Sequence, residues 1–230
     1  MTAAPPLFDR DDWWDPACRA FASLRSVSVF RLDLLRRWLP GPWRGRTVVD
    51  LGCGGGLLAV PLAEHGARVV GVDLARRALA AARRRQRTGF LLLQADLAAV
   101  PMAPGCADVV LLADVLEHVP DPGAALAEGA RLTRPGGHVF VNTIDRTLRS
   151  RLFAIGLGEG LGLIPRGTHR WRDFVRPAEL DEMARAVGLV RTARTGEAPR
   201  LWRTLRARRV ELRESRSLAV GYAALFQNPR

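Results

Sequence analysis

A glycine-rich loop and three carboxylates follow short apolar runs of the sequence. The loop Asp50–Gly56 reads DLGCGGG, and glycines there leave room for a ligand to approach the backbone closely. Asp73, 21 residues after Gly52, is placed to accept hydrogen bonds from both hydroxyls of a ribose. Asp96 is placed to accept one from an adenine amino group while Leu97 packs on the ring. The pattern predicts a nucleoside site, which also includes Gly52, Gly54, Gly56 and Leu74.

The residue types around the loop favour S-adenosylmethionine (SAM) over a nicotinamide dinucleotide. A dinucleotide loop reads G-x-G-x-x-G/A, and its last small residue lets the helix pack close to a pyrophosphate. Here that position is Leu57. Asp50 would repel a diphosphate, but it suits the ammonium group of a methionine-like tail. We therefore predict SAM as the cofactor.

The chain around these residues alternates between strand-length apolar runs and helical patterns. Strands are predicted at Thr47–Leu51, Arg68–Val72, Gly89–Gln94, Ala107–Leu112 and His138–Thr143. Helices are predicted at Asp9–Leu39, Leu57–His65, Leu74–Arg87, Asp121–Leu132 and Pro177–Val187. Because crossover helices join parallel strands, the alternation predicts an α/β fold with a doubly wound, mostly parallel, Rossmann-like sheet. Ligands of such sheets bind at the carboxyl ends of the strands, where the carboxylates lie.

The composition predicts one globular domain. The chain has 230 residues, of which 48% are hydrophobic and 25% charged, which excludes disorder and coiled coil. We divide it into an N-terminal helical cap (1–45), a cofactor-binding core (46–145), a lid inserted after the fifth strand (146–176), and a C-terminal helix with a basic tail (177–230). No apolar stretch reaches the roughly 18–20 residues that span a bilayer, no export signal opens the sequence, and the three cysteines lack a CxxC spacing. We expect a cytoplasmic protein.

The net charge of +12 comes from arginine, and it lies mostly in the last third of the chain. The arginines there recur at helix-like spacing, at Arg200, Arg203, Arg206, Arg208, Arg209, Arg213 and Arg216. Such a helix face suits anionic lipid headgroups or an acidic partner, and an ordinary solvated helix has the same pattern.

Four blocks of sequence lie in and beyond the predicted core, at Trp13–Asp15, Val48–Gly56, Leu116–Pro122, and Pro165–His169 followed by Phe174, Val175 and Pro177. With them the chain resembles class I methyltransferases, and in particular the 3-demethylubiquinone 3-O-methyltransferase family of quinone biosynthesis. The resemblance implies SAM contacts at Arg31, Gly52, Asp73 and Ala113. It also implies a phenol or catechol acceptor, which is a quinone precursor or a secondary metabolite. The chain departs from the family pattern at three places. It lacks the His and the Asn that the family has before the arginine at position 31. It has Asp145 where the family has Asn, and Gly196–Pro199 where the family has a segment with Tyr-Asn-Pro.

Methylation of a phenol requires removal of a proton, since a phenol with a pKa of about 10 is mostly protonated at neutral pH. Asp114, Glu117 and His118 are spaced i, i+3 and i+4, so one helical turn gathers them on one face. The matching positions of the resembling family are associated with a divalent cation, and we predict that the three ligate Mg²⁺ or Zn²⁺. Two alternatives need no metal. In one the trio only shapes the pocket, and in the other His118 acts as a general base. The predicted catalytic residues are His118, Glu117 and His169.

The segment from Arg146 to Trp171 combines arginines with apolar residues. In the family that the chain resembles, the matching insertion covers the active site and touches the membrane. We predict a mobile lid that orders on substrate or on an anionic membrane, because Gly156, Gly158, Gly160 and Gly162 disfavour a rigid helix. An ordinary packed loop is the alternative.

Two other functions compete with a small-molecule O-methyltransferase. An RNA or protein methyltransferase would suit the basic charge, but Ala113–Leu116 stand where base-modifying enzymes carry an Asn/Asp-Pro-Pro-Tyr/Phe element, so nucleic acid is not an expected partner. A non-catalytic SAM-binding subunit of a biosynthetic complex would not need the pair Glu117 and His118. The oligomeric state is not predicted.

Overall fold

The computed structural model describes residues 7–87 and 89–230, so Thr88 and the first six residues of the predicted cap lie outside the described residues. Helices pack against one sheet of eight strands. The strands are β1 (Thr47–Leu51), β2 (Arg68–Asp73), β3 (Leu91–Gln94), β4 (Ala107–Ala113), β5 (Thr133–Ile144), β6 (Val190–Pro199), β7 (Leu212–Ser215) and β8 (Gly221–Gln227). The helices are α1 (Ala22–Trp38), α2 (Ala59–Glu64), α3 (Arg76–Arg85), α4 (Pro122–Leu132), α5 (Leu148–Ser150), α6 (Pro177–Ala186) and α7 (Leu201–Ala207), with a π-helix at Arg151–Glu159 and a 3-10 turn at Trp171–Asp173.

Five strands form the parallel half of the sheet, in the order β3-β2-β1-β4-β5. β1 buries four of its five residues and β4 five of its seven, as expected of strands that are covered on both faces. β5 begins at Thr133, five residues before its predicted start, and the other predicted strands agree closely with the observed ones. The doubly wound, mostly parallel sheet is confirmed.

The C-terminal part of the chain adds an antiparallel half that was not predicted. β8 pairs with β5, β6 pairs with β8, and β7 pairs with β6 at the edge of the sheet. The part of the chain that was predicted as a tail after the C-terminal helix therefore forms three strands and the short helix α7. Its arginines do not share one helix, because α7 ends at Ala207, the next residue Arg208 has a left-handed φ of 51°, and Arg213 lies in β7. β6 carries no alternating apolar pattern of its own, so its pairing depends on neighbouring strands.

The N-terminal helix is shorter than predicted. α1 begins at Ala22 and not at Asp9, and the residues before it form turns. Pro16 has no amide hydrogen to donate inside a helix, and Trp13 stacks on Phe21 with ring centroids 4.2 Å apart. Tertiary packing of these aromatic side chains therefore replaces the first turns of the predicted helix.

The segment 146–176, predicted as a mobile lid, begins with continuous helix. Thr147 caps α5 by accepting a hydrogen bond of 3.0 Å from the amide of Ser150, and the π-helix continues from there to Glu159. The glycines were expected to disfavour a rigid helix, but the helix continues through Gly156 and Gly158 to Glu159. The hydroxyl of Ser23 donates a hydrogen bond of 2.6 Å to the carbonyl of Leu163, which ties the segment to α1. Its mobility stays a prediction.

Candidate active site

A cavity of about 610 Å³ lies at the carboxyl ends of the parallel strands. One half is lined by residues that follow those strands, including Asp50, Gly52, Gly54, Asp73, Leu74, Leu97 and Ala113. The other half is lined by the segment 146–176 and the C-terminal region, including Phe153, Leu157, Leu161, Leu163, Ile164, Leu201 and Leu205. The first half therefore brings together most of the predicted cofactor residues, and the second half is apolar.

The glycine-rich loop needs small residues because side chains of the protein pack against it. Gly52 and Gly54 have φ values of 76° and 50°, which glycine adopts without strain. A Cβ on Gly52 would lie 2.4 Å from Val115, and a Cβ on Gly54 would lie 2.5 Å from Trp13. Trp14 donates a hydrogen bond of 2.7 Å to the carbonyl of Gly55. The Trp-Trp pair thus holds the loop in shape, a role that the sequence motif alone did not reveal.

Two carboxylates face the first half of the cavity. Asp50 is only 3% exposed, and burial, together with the charge of Asp73, raises its pKa to about 7. Burial also raises the pKa of Asp73, although its carboxylate accepts hydrogen bonds of 2.7 Å from the amide of Gly54 and 2.8 Å from that of Ala75. A cation that enters here stabilises the ionised forms, so this half of the cavity suits a positively charged ligand.

Two predicted cofactor residues lie outside the cavity wall. Asp96 is exposed, and its carboxylate accepts a hydrogen bond of 3.0 Å from the amide of Ala98. It misses the wall because β3 ends at Gln94 and the chain then turns. Gly56 packs behind the loop, where a Cβ would lie 3.1 Å from both Val60 and Ala82. Leu97, the residue after Asp96, does line the cavity, and its contact with an adenine ring stays a prediction.

Arg31 lies at the centre of a buried charge cluster between the two halves. This side chain of α1 pairs with Asp114 after β4, and its Nη2 donates a hydrogen bond of 3.0 Å to Glu197 of β6. Asn142 also donates to Asp114, at 3.1 Å. The two carboxylates outweigh the cost of burying the guanidinium and raise the pKa of Arg31. The sequence did not predict the role of Glu197 as a partner of Arg31. Glu197 lies in the segment Gly196–Pro199, which was noted only because it departs from the family pattern.

The predicted metal ligands do not form a metal site in this arrangement. The residues after Asp114 form turns, because Asp114 itself adopts a left-handed φ of 53°, so the helical spacing that was to gather the three does not apply. Asp114 binds the Arg31 guanidinium, and Glu117, which does not line the cavity, accepts a hydrogen bond of 2.6 Å from the hydroxyl of Thr143, which does. No three His, Cys, Asp or Glu side chains within the described ranges are grouped to hold a metal ion. The positive charge of the Arg31 guanidinium beside Asp114 also opposes the binding of a divalent cation.

Two histidines meet in the apolar half of the cavity. His118 and His169 both line it, with their rings stacked at a centroid distance of 5.8 Å, and Phe8 packs on His118 at 5.1 Å. Burial, followed by the proximity of His169, lowers the pKa of His118 to about 4, and burial lowers the pKa of His169. Both imidazoles are therefore neutral at neutral pH, and each has one ring nitrogen with a free lone pair. The third predicted catalytic residue, Glu117, is buried behind them.

Comparisons with known proteins identify the family of the chain. The model of a methyltransferase domain family matches residues 49–141. A ubiquinone biosynthesis O-methyltransferase of Ralstonia nicotianae is 42% identical over 182 residues, covering 77% of this chain and 75% of the relative. The enzyme of that name from Thiobacillus denitrificans is 43% identical over 193 residues, 80% of each chain. Magnesium protoporphyrin IX methyltransferase of Synechocystis, solved with bound SAH, matches with a TM-score of 0.67 at 19% identity, covering 94% of this chain and 90% of the other.

The doubly wound sheet, the glycine-rich loop and the carboxylates at the strand ends define a SAM-dependent methyltransferase of class I, as predicted. The sequence identities narrow the assignment further. The chain belongs to the ubiquinone biosynthesis O-methyltransferase family, and it is an enzyme that transfers a methyl group from SAM to oxygen.

Proposed function

We propose that the acceptor is a phenolic hydroxyl on a lipophilic quinone precursor. The relatives in the family are named as enzymes of ubiquinone biosynthesis, which supports this substrate. The single observation that carries the proposal is the apolar half of the cavity, which lies beside two neutral histidines. An aromatic ring with an apolar substituent matches such a lining, whereas a nucleic acid or a charged peptide would leave its polar groups unpaired there.

In the proposed complex, SAM occupies the half of the cavity that contains the carboxylates. Asp50 receives the ammonium group of the methionine part, and Asp73 receives the ribose hydroxyls. Leu74 and Leu97 pack against the adenine, and Ala113 lies beside the sulfonium end. Arg31 acts on this half through Asp114, whose left-handed conformation it helps to hold.

The reaction is an in-line displacement at the methyl carbon. The phenol gives its proton to an imidazole, either that of His118 or that of His169. The oxygen lone pair forms the new O–CH₃ bond, while the electron pair of the C–S bond stays on sulfur and leaves a thioether. No step is assigned to a metal ion, since two of the three predicted ligands have other partners. Asp114 pairs with Arg31, and Glu117 accepts a hydrogen bond from Thr143.

The rim of the cavity suits peripheral contact with an anionic membrane. Its exposed apolar side chains are Leu152, Leu157, Leu161, Leu201, Trp202 and Leu205. Exposed arginines stand beside them, including Arg149, Arg151, Arg203 and Arg206, and such a mixture binds at the headgroup level of anionic bilayers. Among the helices of the described residues, none is long and apolar enough to cross a membrane.

The proposal is tested with labelled SAM and a panel of acceptors. We expect turnover of catechols and demethylated quinone precursors that rises with the length of an apolar substituent, and no labelling of RNA. Of the variants His118→Gln and His169→Gln, the one that removes the proton acceptor should lower kcat, while SAM affinity stays unchanged. Transfer to RNA in preference to every phenol would reject the proposal.

A further inference from the structure

Glu159 is a buried carboxylate that none of the steps above uses. It is the last residue of the π-helix and is 6% exposed. Its Oε2 accepts a hydrogen bond of 2.7 Å from the amide of Gly167, and its Oε1 accepts one of 2.9 Å from the amide of His169. The same Oε1 lies 3.2 Å from Nδ1 of the His169 ring. One carboxylate thus holds both the backbone and the imidazole of His169.

This contact determines which ring nitrogen of His169 carries the proton. An ionised carboxylate can only accept hydrogen bonds, so the bond to Oε1 requires a proton on Nδ1. In a neutral imidazole, Nε2 then has the free lone pair. The ring of His118, by contrast, is held by packing against Phe8 and His169, which does not select a tautomer.

We propose that Glu159 is a positioning residue that makes His169, rather than His118, the proton acceptor of the methyl transfer. This inference rests on the proposed function, because it assigns the base for a phenolic acceptor. The phenolic proton moves to Nε2 of His169 as the oxygen attacks the methyl carbon, and the C–S bonding electrons remain on the sulfur. The carboxylate of Glu159 then faces the imidazolium that forms and stabilises it.

The test replaces the carboxylate with an amide of the same size. Glu159→Gln has one oxygen where the carboxylate has two, so it loses the hydrogen bond from one of the two backbone amides, and it has no negative charge to hold a proton on Nδ1. We expect kcat to fall by about 10²–10⁴-fold, the usual contribution of general base catalysis, with little change in KM or in SAM affinity. Glu128→Gln is the matched control, since Glu128 is 7% exposed, accepts a 2.8 Å hydrogen bond from the amide of Val100 and lies outside the cavity wall. Its kcat should remain that of the wild type.

A second measurement reads the tautomer directly and needs no turnover. In protein labelled with ¹⁵N-histidine, the ring signals of His169 are identified by their loss in His169→Gln. We expect the proton on Nδ1 in the wild type and a mixture of the two tautomers in Glu159→Gln. A wild-type His169 protonated on Nε2, or an unchanged kcat in a folded Glu159→Gln, would overturn the inference. If no phenol is methylated by the wild type, the proposed function fails, and the NMR result still decides the tautomer.

Discussion

The buried position of Arg31 makes a quantitative stability prediction. Replacing it with Met keeps most of the apolar volume but leaves Asp114 and Glu197 without their shared cation. The side chains of Arg31 and Glu197 are 8% and 2% exposed, so solvent cannot replace the lost partner. Breaking a buried pair in this way costs about 3–5 kcal/mol, because a charge remains buried and uncompensated.

A second arginine of α1 provides the matched control. Arg37 pairs with Asp33 and Glu214, but its side chain is 48% exposed. Exposed pairs contribute about 1 kcal/mol or less, so Arg37→Met should have a small effect. At about 2–4 °C per kcal/mol for a domain of this size, Arg31→Met should lower Tm by roughly 6–20 °C.

Thermal and urea unfolding of both variants measure the difference. The double variant Arg31→Met with Glu197→Gln should recover part of the loss, since it removes one of the two stranded charges. If Arg31→Met loses no more stability than Arg37→Met, or if the second substitution only adds to the loss, then the cluster is not the coupled unit that its geometry indicates.

Three further predictions concern the ligands. Asp73→Ala should weaken SAM binding by about 1.5–3 kcal/mol in calorimetry, the range for hydrogen bonds to a charged group, and unchanged affinity would contradict the proposed ribose contact. The raised pKa of Asp50, about 7, means that its carboxyl is neutral below that pH, so SAM affinity should rise with pH up to about 7 and then level off. Asp50→Asn should bind weakly without this rise, and the same pH dependence in the variant would locate the titrating group elsewhere. In vesicle flotation, Leu161→Ser with Trp202→Ser should lose binding to anionic liposomes at low salt, whereas Leu91→Ser, an equally exposed leucine on β3, should not, and equal losses would argue against a localised membrane surface.

The parallel half of the sheet was predictable because each strand carries its own signal. β1 and β4 are apolar runs that end at a carboxylate or a glycine-rich loop, and their burial follows from that composition. β6 lacks such a signal, since only two of its ten residues are buried and it is held by pairing with β8. The missed strands also concealed Glu197, because a glutamate in a presumed tail has no reason to reach α1.

The site was predictable for residues that directly follow a predicted strand. It was not predictable for residues whose place depends on backbone conformation or on partners elsewhere in the chain. Asp50 and Asp73 are adjacent to their strands, so their place in the cavity follows from the topology. Asp114 was assigned to a helical turn, but its positive φ turns the chain away from that geometry. Glu159 gave no signal among glycines, since its partners lie on a loop eight to ten residues further along the chain.

The place of β8 in the sheet imposes an order of assembly. β8 lies between β5 and β6, so β6 and β7 cannot join the parallel strands until β8 has added to β5. The ribosome makes β8 after both of them, and its pairing with β5 closes a long loop, a slow kind of folding step. Asp50 and Asp73 need only the strands made earlier, whereas Glu197 reaches Arg31 only once β6 is in place. A nascent chain therefore completes the half of the cavity that contains Asp50 and Asp73 before the half that the C-terminal region lines, and a ligand that binds the first half can stabilise the intermediate while β8 is still being made.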